Sequence, residues 1–171
     1  MSPTHPANRL RPSLLSTLPS TVALPTYNHA QLKTGIVHLG VGAFHRGHQA
    51  WYTEAVLNAK GGAWGILGVS LRSDQVQQQL CPQSGLYTLV QRHGASVTRQ
   101  IIGAIQNVLA APADNDRIIE AIAAADTHIV SLTITEKGYC YDQANHSLAE
   151  NHPDIVFDLQ QLTDEPLTPR P

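Results

Sequence analysis

The sequence predicts an α/β fold: a doubly wound, mostly parallel sheet, incomplete, with an inserted β-hairpin. Three observations carry this reading. Short apolar runs at residues 36–39, 66–71 and 128–135 have the character of buried strands. Helix-forming segments lie between them, giving a βαβ order with parallel pairing and a right-handed crossover. Two further runs, at 86–92 and 96–102, flank His93-Gly94 and interrupt that alternation as a hairpin.

Local signals set the limits of each element. The strand at 36–39 ends in Gly40-Val41-Gly42. One helix is expected over 46–58, stopped by Gly61-Gly62. After the strand at 66–71, Ser73 or Asp74 can cap a short helix that reaches Leu80. The hairpin is expected at the edge of the sheet. A strand at 104–109 follows, then a helix at 115–125 with Ile118, Ile119 and Ile122 on one face. Beyond Gly138 the pattern decays into a tail punctuated by Pro153, Pro166, Pro169 and Pro171, with one short helix at 155–162. No internal repeat is visible. A doubly wound sheet has two βαβαβ halves. This chain offers one half, an insertion, and the opening of the second.

Composition excludes several classes. The 171 residues are 42% hydrophobic, enough to bury a core. The 12 glycines and 11 prolines follow no triplet period, so the chain is not collagen-like. No apolar run approaches the roughly 18 residues of a membrane-spanning helix. A formal charge of -2 gives no electrostatic case for nucleic acid or an anionic membrane as partner. Cys81 and Cys140 are the only cysteines, which argues against a disulfide scaffold. Near the N-terminus, Pro12 and Pro19 bound Leu14, Leu15 and Leu18, so a secretory apolar core is missing and a cytoplasmic protein is expected. Charged residues are 14%, against a usual figure of about 25%, which points to surface covered by something else.

Gly40-Val41-Gly42-Ala43-Phe44-His45-Arg46 leaves a strand and opens a helix. In a Rossmann-like dinucleotide site Gly40 permits the tight turn and Gly42 lets backbone approach a pyrophosphate. The helix N-terminus then offers free N–H groups. His45 occupies the third glycine position, so the first helix is expected to stand farther from the sheet. Arg46 can add a cationic contact to phosphate. The same segment also suits a structural βα turn without a ligand. Asp74 is the candidate for the acid that binds ribose hydroxyls, and it equally suits a helix N-cap. Arg72 nearby suits a 2′-phosphate, yet NAD is favoured over NADP. Phe44 can line the cofactor pocket or pack under the first helix. His45 and His48 are three apart, but nothing nearby completes a ligand set, so no metal is expected. Cys81 and Cys140 read as ordinary cysteines, and Lys137 as structural or solvent-facing.

Residues 36–50, Ile-Val-His-Leu-Gly-Val-Gly-Ala-Phe-His-Arg-Gly-His-Gln-Ala, resemble the opening of the mannitol dehydrogenase family of polyol-specific long-chain dehydrogenases. That family includes fructuronate reductase (D-mannonate oxidoreductase). Trp64-Gly65-Ile66, Gly68 to Leu71, Leu86-Tyr87-Thr88-Leu89, Ile102-Gly103 and the run from Ile129 to Cys140 continue the resemblance in order. It covers roughly residues 17–160, and His45 is what the family motif has at that position. The resemblance implies an NAD-dependent oxidoreductase acting on a polyol or sugar acid, with an N-terminal Rossmann domain. It carries Gly40, Gly42, Phe44, His45 and Arg46 to the cofactor turn, and Asp74 less securely. Thr133, Thr135 and Glu136 go to the cofactor and substrate crevice. On this reading 1–32 is a loose leader, 33–142 a partial NAD-binding domain and 143–171 a polar tail. The family's catalytic lysine belongs to a C-terminal domain that this sequence lacks. The chain is therefore expected to be an N-terminal fragment, inactive alone, or a subunit that needs a catalytic-domain partner chain. The Ala43 and Glu136 to Cys140 variants lean toward the fructuronate reductases.

Overall fold

Runs of apolar residues without alternation need cover on both faces, and the chain provides it with helices on either side of a parallel sheet. The computed structural model describes residues 9–134 and 139–161. Two compact units divide at Leu132 and Thr133. In chain order the first unit holds β1 (Val22–Ala23), β2 (Thr34–Leu39), α1 (Ala43–Gly47), α2 (Gln49–Lys60), β3 (Gly65–Ser70) and α3 (Gln75–Leu80). It continues with β4 (Tyr87–His93), β5 (Ser96–Ile102), β6 (Ile105–Ala110), α4 (Ala111–Ala123) and β7 (Ile129–Leu132).

The main sheet has the order β6-β3-β2-β7, and every neighbouring pair in it is parallel. The chain winds outward from β2 through β3 to β6, then returns to place β7 on the other side of β2. The carboxyl ends of β2 and β7 therefore flank the point where the winding reverses, the place at which open α/β sheets take their ligands. Val37, Val69 and Leu109 pack with Ile118 of α4 on one face. Ile36, Ile66, Ile105 and Val108 pack with Ala50 and Leu57 of α2 on the other. The doubly wound class is thus borne out.

Several expectations need correction. The single helix expected at 46–58 is two helices, broken at His48, whose backbone lies at φ -125° and ψ -78°. Gly47, a weak helix former, precedes the break. The hairpin does not extend the edge of the parallel sheet. β4 and β5 pair with each other and β5 pairs in parallel with β1, forming a separate three-stranded sheet. Its base, with Leu86, Ile101 and Ile102 buried, is held to α2. There Trp51 Nε1 donates to Gln100 Oε1 at 3.1 Å and the Gly103 N–H to Glu54 Oε2 at 2.8 Å. The leader is not loose throughout, because β1 joins this sheet and the Tyr27 hydroxyl donates to Glu54 Oε2 at 2.8 Å. In α4 only Ile118 of the three isoleucines is buried; Ile119 and Ile122 are exposed. That helix also starts earlier, at Ala111, with a kink at Asp114.

Within the second unit, β8 (Tyr141–Asp142) and β9 (Ser147–Leu148) form a short antiparallel hairpin. The Asp142 carboxylate holds its turn by accepting the N–H groups of Ala144 and Asn145 and the Asn145 side-chain amide. α5 (Pro153–Gln161) follows, opened by a proline at a position that has no need of an N–H.

Candidate functional site

The glycine turn sits at the carboxyl end of β2. Gly40 has φ +102°, a conformation that side chains resist, and its N–H donates to the Val69 carbonyl of β3 at 2.8 Å. Val41 is buried and wedges against Gly68, where a Cβ would overlap Val41 Cγ2. The turn is thereby pressed onto β3. The sequence carried a signal for this contact, a lone glycine inside an otherwise apolar strand.

Gly42 is glycine for a different reason. Its φ of -82° suits any residue. A Cβ there would find no atom nearer than the Gly40 oxygen at 3.9 Å, so the space in front of it is open. The first intrahelical bond of α1 runs from the Arg46 N–H to the Gly42 carbonyl at 3.1 Å. The N–H groups of Ala43, Phe44 and His45 precede it and have no acceptor within the helix. A narrow backbone, three donors and no side chain in front fit a pyrophosphate. The Tyr87 hydroxyl donates to the Arg46 carbonyl at 2.6 Å, so the inserted hairpin braces α1 from behind. Nothing in the sequence announced that contact.

The other predicted residues take distinct places. Arg46 lies beside the turn with Nε donating to the Gly42 carbonyl at 3.3 Å. Phe44 is 64% exposed and stacks on His48 with ring centroids 4.5 Å apart, so it does not pack under the helix. Phe44, His48, Tyr52, Val56, Ile36 and Trp64 line an apolar groove of about 560 Å³. That groove runs beside α2, whose residues Gln49, Tyr52, Thr53 and Val56 line it. Asp74 is exposed beyond the end of β3, at the N-cap position of α3, but makes no capping bond with its side chain. Its carboxylate accepts from Gln78 Nε2 at 2.7 Å. Arg72 is exposed nearby. Asp114 joins α3 to the start of α4 by accepting from the Ala110 N–H and Gln77 Nε2, each at 3.0 Å. The Ala110 N–H first, then Gln77, hold its carboxyl below the usual range. Thr133 directly follows β7 in the chain. Thr135, Glu136 and Lys137 lie outside the described residues. Among the described residues no group of three or more His, Cys, Asp or Glu could hold a metal ion.

His45 is placed by packing against β2. Its side chain is buried behind the turn, stacked on His38 of β2 at 3.7 Å with the rings 15° apart. It fills the gap that a third glycine would have closed, and it does not face the open front. Burial first, then the neighbouring His38, lowers its pKa from 6.5 to about 4. The unfolded chain therefore binds this proton at higher pH than the native state does. Stability conferred by a neutral His45 is complete above about pH 6.5 and is lost as pH falls toward 4. Wild type should lose about 2 kcal/mol more than His45→Asn between pH 7 and pH 5. Denaturant melts of both proteins at the two pH values check this, and parallel losses would refute it.

A glycine turn with an open front, at the reversal point of a parallel sheet, defines a dinucleotide-binding Rossmann domain. The family profile described as "Mannitol dehydrogenase Rossmann domain" matches residues 34–170, so the chain belongs to the mannitol dehydrogenase family. It is 48% identical over 146 residues to the uncharacterized oxidoreductase YeiQ of Escherichia coli (strain K12), covering 84% of this chain and 30% of that protein. It is 42% identical over 142 residues to a mannitol 2-dehydrogenase of Pyricularia oryzae, covering 81% and 28%. The Pseudomonas fluorescens mannitol 2-dehydrogenase, solved as a ternary complex with NAD and D-mannitol, superposes with a TM-score of 0.79 at 40% identity. That match covers 89% of this chain and 32% of the other. The chain thus spans about a third of the length of these relatives.

Proposed function

We propose that this chain is the NAD-binding part of an oxidoreductase that moves a hydride between nicotinamide and a secondary alcohol of a polyol or hexonate. Mannitol with fructose, and mannonate with fructuronate, are the candidate pairs. The observation that carries the reading is the open front of Gly42 at the reversal point of the sheet. The backbone N–H groups of 43–45 would hold the pyrophosphate, with Arg46 adding positive charge. Asp74 would accept from ribose hydroxyls, and Thr133 and Thr135 would contribute to cofactor binding, as the family resemblance implies. Glu136 would face the substrate crevice. NAD, when bound, supplies the hydride acceptor, and the protein supplies orientation and the proton transfer that accompanies hydride movement. The relatives are about three times as long. We therefore place the base that takes the alcohol proton in a catalytic domain, on a longer or partner chain, and expect no polyol turnover by residues 1–171 alone.

Titration of the full chain with NADH and NADPH, followed by nicotinamide fluorescence, tests this. NADH should saturate, NADPH should bind at least roughly tenfold more weakly, and Asp74→Ala should narrow that gap. A preference for NADPH would transfer the selecting role to Arg72. Absence of binding by either would overturn the reading.

A further inference from the structure

Four side chains from four elements close a ring beneath the glycine turn. His38 of β2 lies opposite Ser131 of β7 in the parallel register, and its Nδ1 is 2.9 Å from Ser131 Oγ. Gln49, the first residue of α2, donates from Nε2 to the same hydroxyl at 3.1 Å. Its other amide atom, Oε1, is 3.1 Å from His45 Nδ1 of α1. The His45 ring then stacks back on His38. An amide oxygen only accepts, so His45 Nδ1 carries the proton of that bond. The neutral ring therefore leaves Nε2 bare, and Nε2 is buried without a partner among the described residues. Both histidine rings are 1% exposed.

The ring spans the reversal point. β2 delivers the chain into the glycine turn, α1 carries its donors, and β7 opens the far side of the crevice. A glycine at position 45 would let α1 settle onto the sheet. With two stacked imidazoles in that gap, the distance of α1 from β2 is set by ring thickness. Its lateral placement against β7 is set by Ser131 and Gln49. We infer that this ring is a positioning device: it fixes the glycine turn relative to β7, so that dinucleotide affinity depends on the Ser131 hydroxyl and the Gln49 amide, neither of which need touch the ligand. The inference rests on the proposed cofactor reading and names residues outside the glycine turn itself, Gly40 to Arg46. A misplacement of donors by a fraction of an ångström weakens several bonds to a pyrophosphate at once.

The test compares wild type, Ser131→Ala, Ser131→Thr and Gln49→Ala by NADH titration, with a thermal melt of each. Ser131→Ala and Gln49→Ala should bind NADH roughly five- to tenfold more weakly. Threonine keeps the hydroxyl and suits a strand, so Ser131→Thr should return affinity to within about twofold of wild type. Nitrogen-correlated NMR of the histidines gives a second readout that is independent of the ligand. His45 should be the Nδ1–H tautomer in wild type and lose that preference in Gln49→Ala. Alanine variants that fold and bind as wild type does, or a threonine variant no better than alanine, would overturn the inference. So would an Nε2–H tautomer in wild type, which also decides the matter if the alanine variants fail to fold. Failure of wild type to bind NADH would instead bring down the cofactor reading, and this inference with it.

Discussion

Glu54→Ala should lower the stability of the fold by about 3–5 kcal/mol, a fall in Tm on the order of 10 °C. Glu54 lies on α2 and is completely buried. Its Oε2 accepts from the Tyr27 hydroxyl and from the Gly103 N–H, each at 2.8 Å, and its Oε1 accepts from Asn58 Nδ2 at 3.2 Å. One carboxylate therefore ties the N-terminal segment, the base of the inserted hairpin and α2 together. Alanine leaves a cavity and strands two donors away from water. Glu54→Gln is the informative contrast. Its amide keeps one acceptor, but its NH2 faces Asn58. Asn58 cannot turn over without releasing the Thr26 N–H, which it accepts at 2.7 Å. The glutamine variant should lose about 1–2 kcal/mol. Equal melting of wild type and the alanine variant would refute the role given to this network.

Gly42→Asp should have the opposite profile, leaving folding intact while abolishing cofactor binding. The backbone there tolerates any residue and the nearest atom to a new Cβ is 3.9 Å away. The position is also the N-cap of α1, where aspartate is favoured, so Tm should stay within about 2 °C of wild type. The new carboxylate would stand in the open front and repel a pyrophosphate. Affinity for NADH should fall more than roughly 100-fold. NADH binding unchanged in a folded Gly42→Asp protein would show that the ligand, if any, sits elsewhere.

The parallel core was legible because its signals are local. Ile36 to Leu39 and Ile66 to Ser70 are apolar without alternation, and a strand covered on both faces requires that. Gly40 and Gly42 announced the turn because each glycine answers one physical demand, conformation or space. What stayed hidden depends on partners distant in sequence. Val22 and Ala23 are too few to show a period, and only β5 makes them a strand. Glu54 reads as a solvated helix residue until Tyr27 and Gly103 converge on it. Ser131 sits in an apolar run whose sequence shows no partner for its hydroxyl, and its meaning comes from His38 across the register and Gln49 above it. The resemblance carries His45 to the cofactor turn because motifs give order along the chain, whereas the side of the helix its side chain occupies is set by packing.

The most direct test of the central claim follows the backbone amide resonances of the isotopically labelled chain as NADH is added. Saturable shifts should concentrate on Gly42, Ala43, Phe44, His45 and Arg46, with smaller changes at the end of β3. A folded protein whose turn amides do not move, or whose shifts centre instead on Tyr52, Val56 and Trp64 along the α2 groove, would contradict the assignment of the glycine turn as the dinucleotide site.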